Sequence, residues 1–180
     1  MLYKDTKIVW LTGISGVGKT YYSNIISEYC EKNNYEIKCF DGDTIRKKYK
    51  SSNSFTYDEI KKNNLFISDL CKKEIGKFDI VAVSVISPFE KVRQMIKDNF
   101  GDDIYFVYLY ASIDSLKERD SKSLYKNADK GIIENVIGYS DTLKYEVPLN
   151  PDLKLNTSTK INPKINKSKI IAFIKNEVLQ

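Results

Sequence analysis

The residues with the clearest chemical potential form the segment GISGVGKT at positions 13–20. It matches the pattern G-x-x-x-x-G-K-[ST], in which glycines let the backbone curl so that consecutive N–H groups face an anion. Lys19 can place a positive charge on the β- and γ-phosphates of a nucleotide, and the Thr20 hydroxyl is placed to ligate Mg²⁺. We call this segment the phosphate loop. Its predicted phosphate-binding residues are Gly13, Ser15, Gly16, Val17, Gly18, Lys19 and Thr20.

Two carboxylates follow the next short apolar segment, in the tripeptide Asp41-Gly42-Asp43. If that segment is a parallel strand, both carboxylates emerge at the same edge of the sheet as the phosphate loop. Asp43 would then orient or deprotonate an attacking hydroxyl and hold Mg²⁺ through water. Arg46, three residues further on, would face the same side of a helix and bind an anionic acceptor. The alternative for the tripeptide is an ordinary Asp-Gly turn.

Other polar groups lie at the ends of later predicted elements. Ser87 follows a third apolar run, where it either hydrogen-bonds an acceptor or caps a helix that begins near Pro88. Arg119, Lys122 and Lys126 lie near the start of a polar stretch. They either close over the phosphates of ATP or are solvated loop side chains.

The segments that carry these groups alternate between short apolar runs and helical patterns. Runs such as DIVAVSVI are typical of strands buried on both faces. The alternation predicts an α/β fold, with a parallel sheet covered by helices on both faces. Strands are predicted at 7–12, 36–40, 79–86, 104–110 and 153–155. Helices are predicted at 19–30, 57–75, 89–100, 112–119 and, at the C-terminus, from about 168 or 170 to 179.

Two segments lack a clear period. The stretch from 120 to about 150 is polar and is interrupted by glycine and proline. Long irregular segments inside compact domains are usually functional, so we predict a lid there. The Lys/Asn/Ser-rich segment 156–169 is predicted to be a connector between the last strand and the last helix.

The overall composition limits the class of protein. A chain of 180 residues that is 42% hydrophobic can bury one sizeable core, so a single domain over 1–180 is predicted. The chain has no histidine, so its chemistry must rest on carboxylates, lysine, arginine or a hard cation. Three cysteines without CxxC spacing, and no leader or apolar span, favour the cytoplasm and no membrane partner. The net charge of +5 suits polyanionic small substrates as well as nucleic acid.

Several of these segments, taken together and in this order, resemble the adenylylsulfate kinase family. They are GISGVGKT, FDGDTIR, ISPFEKVR, ERDSKSLYKNADKG and ENVIGYSD, and the similarity covers about 8–157. The phosphate loop is specific only to a superfamily, whereas D-G-D-x-x-R, I-S-P and R-D-x-x-x-L-Y-K are specific to this family. The resemblance implies a P-loop NTPase fold with about five parallel strands, a mobile lid and frequently a homodimer.

The resemblance also implies a reaction and a set of site residues. The γ-phosphate of ATP, used with Mg²⁺, would move to the 3′-hydroxyl of adenosine 5′-phosphosulfate (APS). Asp43 and Lys19 would be catalytic, Thr20 and Asp43 would hold the metal, and Arg119 would bind ATP. Phe55 would stack on the acceptor base. The acceptor-binding residues would be Asp41, Asp43, Arg46, Phe55, Asn63, Ile86, Ser87 and Lys126.

The chain departs from the family pattern mainly on the acceptor side. Ile60 stands where the pattern F-S-x-x-D-R-x-x-N carries an arginine that contacts the acceptor. Val136 stands where the family commonly has the phenylalanine that closes the other face of the adenine. After Gly138, the usual I-D-D-P-Y-E is replaced by residues 139–146, with two extra positions. We therefore expect an intact phosphate site and a reshaped base pocket.

Four functions remain open on the sequence alone. The first is adenylylsulfate kinase activity, and the second is phosphorylation of another 5′-modified nucleotide such as cytidine diphosphoramidate. The third is a nucleotide-binding P-loop module without turnover. A polynucleotide kinase is disfavoured, because no interleaving of aromatic and basic residues marks a groove for a nucleic-acid strand. ATP is preferred over GTP because the chain has no N-K-x-D motif.

Overall fold

Five parallel strands form one sheet in the computed structural model, which describes residues 4–48 and 56–180. The strand order is β2-β3-β1-β4-β5, and every neighbouring pair is parallel. The predicted α/β fold with a five-stranded parallel sheet is thereby confirmed. The strands are β1 (Lys7–Thr12), β2 (Ile37–Asp41), β3 (Ile80–Ser84), β4 (Ile104–Tyr110) and β5 (Leu153–Asn156).

Helices connect the strands and cover both faces of the sheet. The helices are α1 (Lys19–Lys32), α2 (Gly42–Lys48), α3 (Tyr57–Lys72), α4 (Glu90–Phe100), α5 (Ile113–Glu118), α6 (Leu124–Asp129) and α7 (Pro163–Phe173). A 3₁₀ turn at Gly101–Asp103 precedes β4, and a π-helical turn at Ile174–Val178 extends α7.

The sheet separates two apolar cores, because successive side chains of a strand point to opposite faces. Val9 and Leu11 of β1 belong to the core that contains buried residues of α1 and α7. Ile8 and Trp10 belong to the core that contains buried residues of α3 and α4. We call these two sides of the sheet the α1 face and the α3 face. All four side chains are fully buried, as the run KIVWLT predicts for a central strand.

The C-terminal helix begins earlier than predicted. Its first residue is Pro163, and the Asn162 side chain accepts a hydrogen bond of 3.0 Å from the Lys164 N–H. Asparagine at the N-cap followed by proline in the first turn is a strong helix start. The predicted connector 156–169 is therefore wrong for its second half, which is helical.

The polar stretch after residue 120 contains a short helix that periodicity did not reveal. The Asp120 carboxylate accepts hydrogen bonds from the backbone N–H groups of Leu124, Tyr125 and Lys126, at 2.8, 2.8 and 3.1 Å. These bonds satisfy the donors at the start of α6.

No helix among the described residues is long and apolar enough to cross a membrane.

Candidate active site

A cleft of about 340 Å³ opens at the carboxyl edge of the sheet. Its walls come from the phosphate loop, α2, α3, the end of β3 and the segment 120–150, which was predicted to be a lid and is called the lid below. Parallel α/β sheets bind ligands at this edge. The residues that line it are Ser15, Gly16, Gly18, Lys19, Thr20, Tyr21, Asp41, Gly42, Asp43, Arg46, Ile60, Asn63, Ser84, Val85, Ile86, Leu116, Arg119, Asp120, Ser121, Lys122, Leu124, Tyr125 and Ile137.

The phosphate loop has the backbone conformation that its glycines permit. Gly13 has a φ of +146°, and a Cβ there would lie 2.2 Å from the carbonyl oxygen of Leu109. Gly18, the N-cap of α1, is left-handed with a φ of 91°. The Val17 side chain is fully buried, and its carbonyl accepts a 3.0 Å hydrogen bond from the Thr157 hydroxyl. Val17 can therefore contribute only its backbone to a phosphate.

Lys19 lies folded over the phosphate loop. Its Nζ donates to the carbonyl oxygens of Gly13 and Ile14, at 2.8 and 2.9 Å. Burial lowers the pKa of Lys19 to about 8, although the carboxylates of Asp43 and Asp41 act in the opposite direction. Bound phosphate would oppose the loss of this charge, because an anion favours the protonated amine.

Thr20 and Asp41 form a hard-oxygen pair at the mouth of the loop. The Thr20 hydroxyl donates to the Asp41 carboxylate at 2.9 Å. The other carboxylate oxygen accepts from the backbone N–H and the hydroxyl of Thr44, at 3.0 and 3.2 Å, which fixes Asp41 at the start of α2. Mg²⁺ is usually held by one or two such oxygens together with substrate phosphates and water. The pair fits that use. The described residues contain no group of three or more acidic, cysteine or histidine side chains that could hold a metal ion by themselves.

Asp43 and Arg46 project from α2 into the same cleft. The Asp43 carboxylate is 75% exposed and lies 3.4 Å from the ammonium group of Lys122 in the lid. The structure thus brings Lys19, Asp41, Asp43 and Arg46 together around one space, as their positions in the sequence predicted.

The lid is attached to the phosphate loop through Tyr125. Its hydroxyl donates to the Ser15 carbonyl oxygen at 2.7 Å, and its ring packs edge-on against Tyr139 at 5.1 Å. Burial raises the pKa of Tyr125 to about 12, so it remains a donor at neutral pH. Asp129 attaches the same segment to α5, because it accepts from the Tyr139 hydroxyl and pairs with Lys117 of α5 at 2.8 Å.

Arg119 lies between the cleft and a second hollow of about 330 Å³ on the outer side of the phosphate loop. Its guanidinium donates to the backbone oxygen and the hydroxyl of Thr157. Burial lowers its pKa from the usual value. Tyr21, Thr157 and Pro163 also line this hollow. No sequence pattern pointed to Thr157, because it lies just beyond β5 and outside every motif.

The acceptor wall of the cleft, which we define as Ile60, Asn63, Ile86 and Ile137, has the opposite character to the phosphate loop. Three of its members are apolar, and Ile60 is 2% exposed. Asn63 is 7% exposed, and among the described residues neither its amide nitrogen nor its amide oxygen has a hydrogen-bond partner. A buried amide without partners costs free energy in the free protein, so it points to a ligand.

Ser87 is not part of this wall. It is fully buried, its hydroxyl accepts from the Trp10 indole N–H at 2.9 Å and donates to the Asn64 oxygen, and its carbonyl accepts from Arg93. Ser87 neither faces an acceptor nor caps α4, whose N-cap is Phe89. The expected acceptor contact is therefore corrected to a structural role.

Lys126 and Phe55 were also predicted to bind the acceptor, and Val136 stands where the family commonly has an aromatic ring. Lys126 is exposed and does not line the cleft, whereas Lys122 does. Val136 is buried in the core of the α1 face, and the adjacent Ile137 lines the cleft. Phe55 lies outside the described residues.

Comparison with known proteins supplies the family. The family model for adenylylsulphate kinase matches residues 5–156. The chain belongs to the adenylylsulfate kinase family. As a member of this family it is a phosphotransferase with an alcohol acceptor.

Individual relatives agree with this assignment. An adenylyl-sulfate kinase from Halothermothrix orenii is 34% identical over 167 residues, which cover 92% of this chain and 88% of that protein. A probable adenylyl-sulfate kinase from Aeropyrum pernix is 33% identical over 155 residues, 84% of each chain.

A solved structure of an adenylylsulfate kinase shares the fold of this chain. It is an APS kinase from Mycobacterium tuberculosis in complex with AMPPNP and APS. The TM-score is 0.85 at 24% sequence identity, and the alignment covers 95% of this chain and 98% of that one.

Proposed function

We propose that this chain transfers the γ-phosphoryl group of Mg²⁺-bound ATP to the 3′-hydroxyl of APS, which yields ADP and 3′-phosphoadenylylsulfate. The observation that carries the proposal is that one cleft brings the two kinds of site together. It joins the phosphate loop and two carboxylates to a wall that contains the unpaired amide of Asn63. Membership of the adenylylsulfate kinase family supports the choice of acceptor.

The phosphate loop and Arg119 account for ATP in this proposal. The triphosphate lies in the loop, where the positive end of α1 and Lys19 neutralise its charge. The adenine occupies the second hollow, beside Tyr21 and Arg119. The hollow opens on Gly16, Val17 and Gly18, so one nucleotide can reach from it into the loop.

Thr20, Asp41 and Asp43 account for the metal. The Thr20 hydroxyl and the neighbouring carboxylates supply the hard oxygens that Mg²⁺ prefers. When bound with ATP, the ion supplies neutralisation of charge on the β- and γ-phosphates.

Asp43 orients the acceptor. Its exposed carboxylate accepts the hydrogen of the 3′-hydroxyl, and that oxygen attacks the γ-phosphorus in line with the leaving β-phosphate oxygen. One P–O bond forms, one breaks, and the proton leaves through Asp43. Arg46 and Asn63 bind the acceptor from α2 and α3. Lys126 and Phe55 stay predictions in this account.

One observation favours a second acceptor. Ile60 is buried in the acceptor wall, and Ile137 lines the cleft near the position where the family places an aromatic ring. Loss of a stacking partner is worth roughly 1 to 3 kcal/mol. Another 5′-modified nucleotide, such as cytidine diphosphoramidate, would suit a wall changed in this way, and all the ATP contacts would stay the same.

The remaining proposals concern the setting of the enzyme. We propose a homodimer in the cytoplasm with no nucleic-acid partner. Three free cysteines, two of them buried, support a reducing compartment.

The test is Mg²⁺-dependent release of ADP by the purified chain, measured in parallel with APS and with cytidine diphosphoramidate. Higher kcat/KM with APS supports the proposed reaction. Higher kcat/KM with the cytidine compound replaces the acceptor but keeps the phosphate site. Nucleotide binding without acceptor-dependent release of ADP would mean that the chain is a binding module.

A further inference from the structure

Ser84 is a buried polar residue at the floor of the cleft that neither the motifs nor the family assignment explains. It is the last residue of β3 and is 4% exposed. Ser84 is one of the residues that line the cleft, and its buried hydroxyl has no hydrogen-bond partner among the described residues. A buried hydroxyl without a partner is costly, and a ligand in the cleft would satisfy it.

The direction of the Ser84 side chain follows from the strand register. In β3, Ile80 and Ala82 belong to the core of the α1 face, whereas Val81 and Val83 belong to the core of the α3 face. Side chains alternate along a strand, so Ser84 points to the α1 face. It is therefore separated from Asn63, which belongs to α3 on the other side of the sheet.

One neighbour of Ser84 in the sheet is a metal-binding candidate, and the other leads into the phosphate loop. Asp41 is its partner in β2, and the Asp41 carboxylate accepts a 2.9 Å hydrogen bond from Thr20. Its partner in β1 is Leu11, two residues before the phosphate loop. Ser84 thus lies beside the strand that leads into the loop and beside the carboxylate that contacts Thr20.

This position has a general role in P-loop enzymes. There the metal is held by the threonine or serine of the loop and by an aspartate at the end of an apolar strand. In this chain β3 has four buried apolar residues and then Ser84, a hydroxyl in place of a carboxylate. A hydroxyl both donates and accepts, and Mg²⁺ retains several bound waters that need such partners.

We propose that Ser84 is a positioning residue for the metal, with its hydroxyl bonded to a water molecule of the Mg²⁺ that Thr20 and Asp41 hold. The inference rests on the proposed use of Mg²⁺-ATP. The Ser84 hydroxyl completes the hard-oxygen environment on the α1 face. The unpaired Asn63 amide on the α3 face is then available to the acceptor.

The experiment measures the binding of ADP by calorimetry in excess Mg²⁺ and in EDTA. The Kd in EDTA divided by the Kd in Mg²⁺ reports the contribution of the metal. Ser84→Ala should reduce that ratio by about 3- to 10-fold, the range for one hydrogen bond, and leave the Kd in EDTA unchanged. Ser84→Cys keeps the size but weakens the hydrogen bond, so it should give the same loss. Ser68→Ala is the matched control, because Ser68 is fully buried in α3 and bonded to Asn99.

The outcomes separate this inference from the proposed function. A wild-type ratio near one would overturn both the use of Mg²⁺ and the role of Ser84. A large wild-type ratio that Ser84→Ala and Ser84→Cys leave intact would overturn the role of Ser84 alone. A loss of APS affinity with an unchanged ratio would also overturn it, because the hydroxyl would then belong to the acceptor site.

Discussion

The two ends of the cleft differ in how their polar groups are satisfied. At the phosphate end, Lys19 is bonded to two carbonyl oxygens, and Asp41 is bonded to Thr20 and Thr44. At the acceptor wall, the buried Asn63 amide has no hydrogen-bond partner within the described part of the chain, and the other three members of the wall are apolar. The side chains of Lys19, Thr20 and Asp41 are therefore organised before a ligand binds, with the unpaired Ser84 hydroxyl as the exception at this end. The acceptor wall depends on its ligand. Substitutions in the wall can change the acceptor without disturbing the binding of ATP.

Asp43→Asn tests the point where the two ends meet. The amide keeps the shape of the side chain but cannot take the proton of the acceptor hydroxyl, so kcat should fall roughly 10²- to 10⁴-fold. The Kd for ADP measured in EDTA should stay unchanged, since the phosphate loop is intact and no metal is present for Asp43 to hold. Steady-state kinetics and calorimetry measure the two effects, with the exposed Asp98 changed to Asn as the control. An unchanged kcat would remove Asp43 from the mechanism.

Lys19→Ala disrupts the phosphate end alone. Loss of one preorganised charge at the transferring phosphoryl group should lower kcat/KM for ATP by about 10²- to 10³-fold. Binding of the acceptor should change little, because Lys19 lies in the loop and not in the acceptor wall. Lys32→Ala at the exposed end of the same helix is the control. Normal turnover by the Lys19 variant would contradict the phosphate site.

The pH dependence of ATP use sharpens the same contrast. Burial lowers the pKa of Lys19 to about 8, so in the free enzyme its charge is lost as the pH rises through that value. Above it, kcat/KM for ATP should fall about tenfold per pH unit, because this parameter reports the free enzyme. The profile of kcat should lack this limb, since bound phosphates retain the proton. Lys19→Arg should abolish the limb in kcat/KM, because arginine does not deprotonate; a limb that persists in this variant comes from another group.

A matched pair of asparagines tests the acceptor wall. Asn63→Leu removes an unpaired buried amide, so the free protein should gain about 1 kcal/mol of stability while KM for the acceptor rises roughly 3- to 10-fold. Asn64 is also buried, but its side chain is bonded to Ile60, Ile86 and Ser87. Asn64→Leu should therefore destabilise the fold by about 1 to 3 kcal/mol. Chemical denaturation and acceptor kinetics measure both, and equal destabilisation by the two changes would mean that Asn63 is not held for a ligand.

The phosphate end could be predicted from the sequence almost completely. Its function depends on backbone conformation, and glycines, Lys19 and Thr20 at fixed spacing encode that conformation locally. The carboxylates of Asp41 and Asp43 were predictable as well, because a strand end fixes where its next residues emerge.

The acceptor wall was predicted less well because it is assembled from separate elements. Ser87 belongs to a family-specific motif, yet the structure uses its hydroxyl to join Trp10 to Asn64. The choice of Ile137 over Val136 for the cleft depends on how the lid packs, and no local pattern encodes that packing. Ser84 was overlooked because a single serine at the end of an apolar strand carries no motif.

The most direct test of the whole account follows the phosphoryl group itself. The purified chain is incubated with Mg²⁺, APS and ATP labelled at the γ-phosphorus, and the labelled product is treated with a 3′-nucleotidase. We predict that the label enters the nucleotide, is released by the 3′-nucleotidase, and stays in ATP when Asp43→Asn replaces the wild type. Label found only in inorganic phosphate before the 3′-nucleotidase is added would contradict the claim that the two ends of this cleft form one kinase site.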